Sequence, residues 1–371
     1  MELLNLASPL HIGGLDVKHR VVMAPLTRLR ADDDHVPIDM VREYYAQRGS
    51  VPGTLLVSEG TFISPRAGGM NNVPGIWNNA QIEQWKTVTA AVHARGSYIF
   101  CQLWALGRAA HPEVLVKDGN EVISSGDIPI TADSAVPRPL TENEITDWIA
   151  DYATAAKNAI TAGFDGVEIH GANGYLCDQF LQDTCNNRED RWGGTVENRS
   201  RFGLEVARAV SGTVGAHRTA YRISPWSTFQ GMRMKDFQPQ FTHLVENLHP
   251  LGLAYLHMVE PRISGSQTVD GDNEDHAFIL KSYGNDRVIV VAGGFTAESA
   301  EKVLQTHQGY QIAIGFGRHF LANPDLPLRL TKGIALNQYD RNTFYTPKSP
   351  IGYVDYPFSE GLSQDGILAS R

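Results

Sequence analysis

Eight short, nearly uninterrupted apolar runs recur along the chain, each followed by a longer stretch in which apolar positions return every three or four residues. The runs are 20–24, 54–58, 98–103, 166–170, 218–223, 254–258, 288–292 and 311–315. A run without polar alternation suits a strand buried on both faces, the situation of a parallel sheet covered by helices. The clearest amphipathic stretches between them, 79–95, 142–162, 198–210, 239–248 and 297–305, predict helices. Thr141 followed by Glu144 predicts a capping box at the start of the second.

Eight strand–helix alternations predict closure into a (β/α)8, or TIM-barrel, α/β fold rather than an open doubly wound sheet. The first strand is followed by Pro25-Leu26-Thr27-Arg28, without the glycine-rich dinucleotide fingerprint of open sheets. Residues 10–18 predict an N-terminal hairpin turning at Gly13-Gly14. The Pro- and Gly-dotted stretch 109–139, after the third strand, is too long for a simple connection and predicts an inserted subdomain or lid over the barrel mouth. The tail 331–371 carries Tyr339, Phe344, Tyr345, Tyr353 and Tyr356 and is expected to pack back on the barrel. No linker interrupts the alternation, so residues 1–371 read as one domain.

Composition narrows the partners. Hydrophobic residues make up 42% of the chain and charged residues 20%, enough for a large core. A net charge of −9 argues against nucleic acid or an anionic membrane as the main partner. The first ten residues show no secretory leader pattern, and Cys101, Cys177 and Cys185 form no paired framework, which together predict a cytoplasmic protein with reduced thiols.

Active sites of such barrels lie at the C-terminal ends of the strands. Collected there are Pro25 and Thr27, Glu59 and Gly60, Gln102 and Trp104, then His170, Asn173 and Tyr175, then Arg222. The seventh strand ends in Gly293-Gly294 and the eighth in Gly317-Arg318. Glycine turns after strands seven and eight are the usual phosphate cradle of this fold, and an arginine fork suits phosphate oxygens. Arg222, at the end of an apolar run, needs an anion, because burying an unpaired guanidinium is costly. Thr27, Gln102 and Arg222 together suit a phosphate-bearing heterocycle with amide edges that becomes negative on reduction, as FMN does. No run ends in lysine for a Schiff base, and no recognised metal-ligand spacing links His170 to Cys177 or Cys185. His257 and Glu260 acquire no role from the sequence.

The stretches Met23-Ala24-Pro25-Leu26-Thr27-Arg28, Gln102-Leu103-Trp104, His170-Gly171-Ala172-Asn173-Gly174-Tyr175-Leu176, Asp190-Arg191-Trp192-Gly193-Gly194 and Asn323-Pro324-Asp325-Leu326 resemble the Old Yellow Enzyme family, in the family's order. The wording around 50–55 and 100–108 is similar to its fungal branch, which includes ergot-alkaloid pathway members. The resemblance implies FMN as cofactor and NADPH or NADH as hydride donor. It implies that Thr27 hydrogen-bonds the flavin C4 carbonyl, that Gln102 holds the pyrimidine edge, and that Arg222 balances charge near N1 and O2. Pro25 and Gly60 would line the ring, and Gly293, Gly294, Gly317 and Arg318 the phosphate end. Gly294 stands where many relatives carry asparagine, which implies one side-chain contact fewer. His170 and Asn173 would grip a substrate carbonyl, Tyr175 would supply a proton, and Trp104 and Tyr345 would shape the substrate cavity.

The expected activity is ping-pong reduction of the activated C=C bond of an enone or enal by NAD(P)H through flavin N5. A redox-neutral flavin isomerase or tailoring enzyme of a secondary-metabolite pathway is the alternative. Both readings expect a monomer or homodimer without a resident metal.

Overall fold

The computed structural model describes residues 5–265, 267–268 and 276–360. The end of the tail, 361–371, and part of the segment after Met258 lie outside the described residues. The eight strands are β1 Val21–Met23, β2 Leu55–Phe62, β3 Tyr98–Trp104, β4 Gly166–His170, β5 Thr219–Ile223, β6 Tyr255–Val259, β7 Val288–Ala292 and β8 Gln311–Phe316. All pair in parallel, and the sheet closes in the order β6-β7-β8-β1-β2-β3-β4-β5.

Each strand leads to one outer helix of the barrel: α1 Asp39–Arg48, α2 Asn79–His93, α3 Glu142–Thr161, α4 Val196–Val214, α5 Phe237–Leu248, α6 Ala277–Tyr283, α7 Ala297–Thr306 and α8 Leu326–Lys332, with shorter helices in the connections after β3, β4 and β8. The capping box at Thr141 forms, with the Thr141 N–H donating to Glu144 (2.8 Å) and the Glu144 N–H donating to the Thr141 hydroxyl (3.3 Å). The helix expected over 198–210 begins earlier because the Thr195 hydroxyl caps it, accepting from the Asn198 N–H. The hairpin runs over Leu10–Ile12 and Leu15–Val17 and plugs the N-terminal end of the barrel, where Leu10, Ile12 and Val17 pack on Val22, Leu55 and Phe100.

The largest departure from the sequence reading is β2. It continues four residues past Ser58, through a register shift between Val57 and Gly60. A carboxylate at Glu59 looks like a strand end in sequence, yet Glu59 is buried, accepting from the Arg28 N–H (3.2 Å) while its own N–H donates to the Tyr45 hydroxyl (2.7 Å). Tertiary partners overrode the local polarity there.

The 109–139 excursion contains the short helix Pro112–Leu115 and a two-residue parallel bridge between Ile123–Ser124 and Arg138–Pro139. It docks on the short helix Leu176–Leu181: the Ser124 hydroxyl donates to the Gln179 side-chain carbonyl (2.8 Å) and the Ser125 hydroxyl to the Gln179 main-chain carbonyl (2.7 Å). The Asp190–Gly194 motif braces the same region from outside the barrel. Arg188, paired with Asp190 (2.6 Å), donates to the carbonyls of Ser125 and Leu140.

The tail returns across the C-terminal face, with Phe344 and Tyr353 buried. Two buried arginines hold it. Arg28 donates to the carbonyls of Phe344 (3.0 Å) and Gly352 (2.7 Å), and Arg30 to those of Ser349 (3.0 Å), Phe344 (2.9 Å) and Thr343 (3.0 Å). Arg30→Met is expected to strand several buried carbonyls and lower stability by about 2–4 kcal/mol. Urea unfolding checks this: an unchanged midpoint would mean that the guanidinium holds nothing. No helix among the described residues is long and apolar enough to cross a membrane.

Candidate active site

The inward-facing residues change character along the barrel axis. Near the hairpin they are apolar, with Val22, Leu55, Val57, Phe100, Ala220, Val288, Val290 and Ala313 in one cluster. Toward the C-terminal ends of β3–β6 they become Gln102, Glu168, Arg222 and His257, all buried. Period-two alternation produces this, because residues two apart on a strand share a face. Val167, Ile169, Tyr221, Leu256 and Met258 point outward into the helical shell.

Above the polar layer opens a cavity at the barrel mouth. Of the residues singled out in the sequence, Pro25, Thr27, Gln102, Trp104, His170, Asn173, Tyr175, Arg222, Gly293, Gly294, Gly317, Arg318 and Tyr345 all line it. Gly60 does not. It lies behind Trp104, where a Cβ would come within 2.4 Å of the indole, so the glycine lets that ring lie flat against β2. No residue of 109–139 lines the cavity either; the excursion stands beside the mouth, against the helix that follows Tyr175.

His170, Trp104 and Tyr175 form an aromatic corner. Trp104 stacks on His170 (6.0 Å between centroids), and Tyr175 meets both edge-on, at 4.8 Å from Trp104 and 4.9 Å from His170. His170 Nδ1 accepts the Ala172 N–H (3.4 Å), which places the ring proton on Nε2. Burial, then the Arg222 charge, hold its pKa down at about 3, so the ring is a neutral donor at physiological pH. Burial and the neighbouring Tyr345 push the Tyr175 phenol well above its ordinary value, so it stays protonated.

Asn173 takes a left-handed backbone conformation (φ 57°), an arrangement asparagine tolerates better than most residues. Three contacts hold the turn. The Asn173 N–H donates to the Ser224 hydroxyl (2.7 Å), the Gly174 N–H to Asp178 (2.9 Å), and the Gln179 amide to the Gly174 carbonyl (2.8 Å). Burial pushes the Asp178 carboxyl up to about 6. Sequence reasoning passed over Ser224 and Asp178; Ser224 is the first residue after β5, the place where such a signal belongs.

At the opposite end, Gly294 (φ 66°) turns beneath Arg318, and a Cβ there would come within 3.4 Å of the Arg318 guanidinium. A Cβ on Gly293 would meet Glu260 at 2.5 Å, so Glu260 forms the back wall of this turn. Phe229, Phe316 and Arg28 also line the cavity and were not singled out by the sequence.

Orphaned polar atoms test what the cavity would accept. Arg222 Nε, Asn173 Oδ1 and His257 Nε2 are buried without a protein partner. A planar ring with amide-like edges and a phosphate arm fits this donor and acceptor set: Gln102 and Arg222 for the ring edge, and the backbone at Gly293, Gly294 and Gly317 with Arg318 for the phosphate.

A profile of the NADH:flavin oxidoreductase / NADH oxidase family matches residues 5–337. A chanoclavine-I aldehyde reductase of Penicillium roqueforti is 56% identical over 96% of each chain. An NADP-dependent oxidoreductase of Aspergillus flavus is 53% identical over 96% of this chain and 97% of its own. Among solved structures, the Old Yellow Enzyme of a Pichia species superposes with a TM-score of 0.89 at 37% identity, covering 96% of this chain and 94% of its own.

Proposed function

Because the chain belongs to the NADH:flavin oxidoreductase / NADH oxidase family, we propose that it is an FMN-dependent NAD(P)H oxidoreductase that reduces the activated C=C bond of α,β-unsaturated carbonyl compounds. When bound, FMN would supply hydride transfer from NAD(P)H to the substrate, in ping-pong order. The observation that carries the reading is the neutral His170 donor beside Asn173 and Tyr175 at one corner of the cavity.

In this reading His170 Nε2–H and the Asn173 amide donate to the substrate carbonyl oxygen. As hydride reaches the β-carbon, negative charge develops on that oxygen, and donors already in place stabilise it without reorganising. Tyr175, protonated and partly buried, delivers a proton to the α-carbon. Its presence favours net reduction over a redox-neutral isomerisation, which would need that proton withheld. Pro25, Thr27, Gln102 and Arg222 hold the ring, and Gly293, Gly294, Gly317 and Arg318 the phosphate arm. Trp104 and Tyr345 bound the space left for substrate. The Penicillium relative's name makes an aldehyde the first physiological class to try, and the Aspergillus relative's makes NADPH the first donor.

One spectrum tests this. The purified protein is expected to be yellow, to bleach with NADPH and to recover its colour on addition of 2-cyclohexenone. A colourless protein that takes up no added FMN would overturn the reading.

A further inference from the structure

The polar layer under the cavity contains one carboxylate, and nothing in the reading above uses it. Glu168 on β4 is fully buried, two residues before His170 on the same inward face. Its Oε1 accepts from Gln102 Nε2 (2.8 Å) and its Oε2 from His257 Nδ1 (2.8 Å). The four side chains come from four adjacent strands: Gln102 is in register with Glu168, and His257 with Arg222.

Two consequences follow from geometry. First, the Gln102 amide is oriented, because one N–H of its nitrogen donates to Glu168, which fixes the direction in which its carbonyl oxygen and second N–H are offered. Second, Arg222 stands on the strand next to Glu168, in register with His170 and His257, and it lines the cavity. The Glu168 carboxylate therefore acts on the positive charge that would meet a reduced ring from one layer below it. Burial raises the Glu168 carboxyl, but its contacts with His257, Arg222 and Gln102 outweigh that and hold it down at about 2, so it is ionised. His257 donates through Nδ1, and its Nε2 looks toward Gly315, where a Cβ would come within 3.4 Å.

We propose that Glu168, anchored by His257, is a positioning residue for the flavin: it orients the Gln102 amide and offsets Arg222, and so sets how readily the bound ring accepts electrons. The proposal rests on FMN occupying this cavity. It goes beyond that reading by assigning a residue that touches neither substrate nor cofactor a measurable effect on the couple. Leaving a buried pair of opposite charges half complete is a large perturbation, because a low-dielectric interior screens charges weakly.

The test measures the reduction potential of the holoprotein by equilibration with a reference dye at fixed pH, and FMN affinity by quenching of flavin fluorescence. Glu168→Gln leaves Arg222 without its counter-charge, so the reduced ring is expected to be favoured at least tenfold, a positive shift of about 30 mV for a two-electron couple. Glu168→Asp keeps the charge but withdraws it from Gln102, so the potential is expected to stay near wild type while FMN affinity falls about tenfold. In a Gln102→Ala background that second loss is expected to disappear.

A Glu168→Gln protein that binds FMN at the wild-type potential would overturn the proposal. Should that variant fail to fold, His257→Leu decides: with the anchor gone, FMN affinity is expected to drop several-fold, and unchanged affinity would overturn the proposal. A wild-type protein that binds no FMN would instead remove the parent reading.

Discussion

The Tyr175→Phe protein is expected to be reduced by NADPH at close to the wild-type rate, yet to turn over 2-cyclohexenone about 10²–10⁴-fold more slowly. The size of the effect is that of losing a general acid. The selectivity for one half-reaction comes from where the phenol stands. Tyr175 packs edge-on against Trp104 and His170, in the corner where the substrate carbonyl would be held. Phenylalanine keeps both ring contacts, so packing is preserved and only the proton is lost. Burial and Tyr345 keep the wild-type phenol protonated well beyond neutral pH, so the proton is present on every turnover. Stopped-flow traces of the two half-reactions decide the matter: equal losses in both would show that the hydroxyl serves folding or cofactor binding instead.

His170→Ala is expected to cut the rate of the substrate half-reaction by about 10²–10³, corresponding to about 3–4 kcal/mol, the usual consequence of removing one oxyanion donor. Phenols that imitate the enolate should bind correspondingly more weakly. An unchanged affinity for para-substituted phenols would contradict the carbonyl-gripping role.

The same residue makes a prediction about pH. Its pKa is held at about 3, so the imidazole is a neutral donor throughout the working range, and the KM for an uncharged enone is expected to show no inflection near 6.5 from this group. For stability the sign is opposite to that of a paired histidine. The folded-state value is depressed, so the unfolded chain takes up the proton first as pH falls. The contribution of this residue is therefore intact above about pH 6.5 and is lost progressively toward pH 3.

Most of the barrel was legible because each strand is buried on both faces. Such a strand needs no polar alternation, and its sequence becomes a compact apolar run, as in Val288–Ala292. The α3 cap was legible for a local reason, since Thr141 and Glu144 satisfy one another without help from the rest of the chain. Where a residue depends on distant partners, local reading fell short. Glu59 marked a strand end in sequence but lies inside β2, because Arg28 and Tyr45, far away along the chain, receive it. Glu168 left a trace, a carboxylate inside an apolar run two residues before His170, yet its meaning needed Gln102 and His257 from neighbouring strands.

The amino-acid sequence by itself determined the alternation of strands and helices, the family, and the side chains delivered to the mouth, because strand ends and motif spacing are properties of short stretches. Closure of the barrel decided which of those side chains meet. It set Gly60 behind Trp104, moved the 109–139 excursion beside the cavity rather than over it, and joined residues from three strands into one buried hydrogen-bonded network. Hydrogen bonds and Coulomb forces act over a few ångströms, and only the folded chain brings positions a hundred residues apart within that reach.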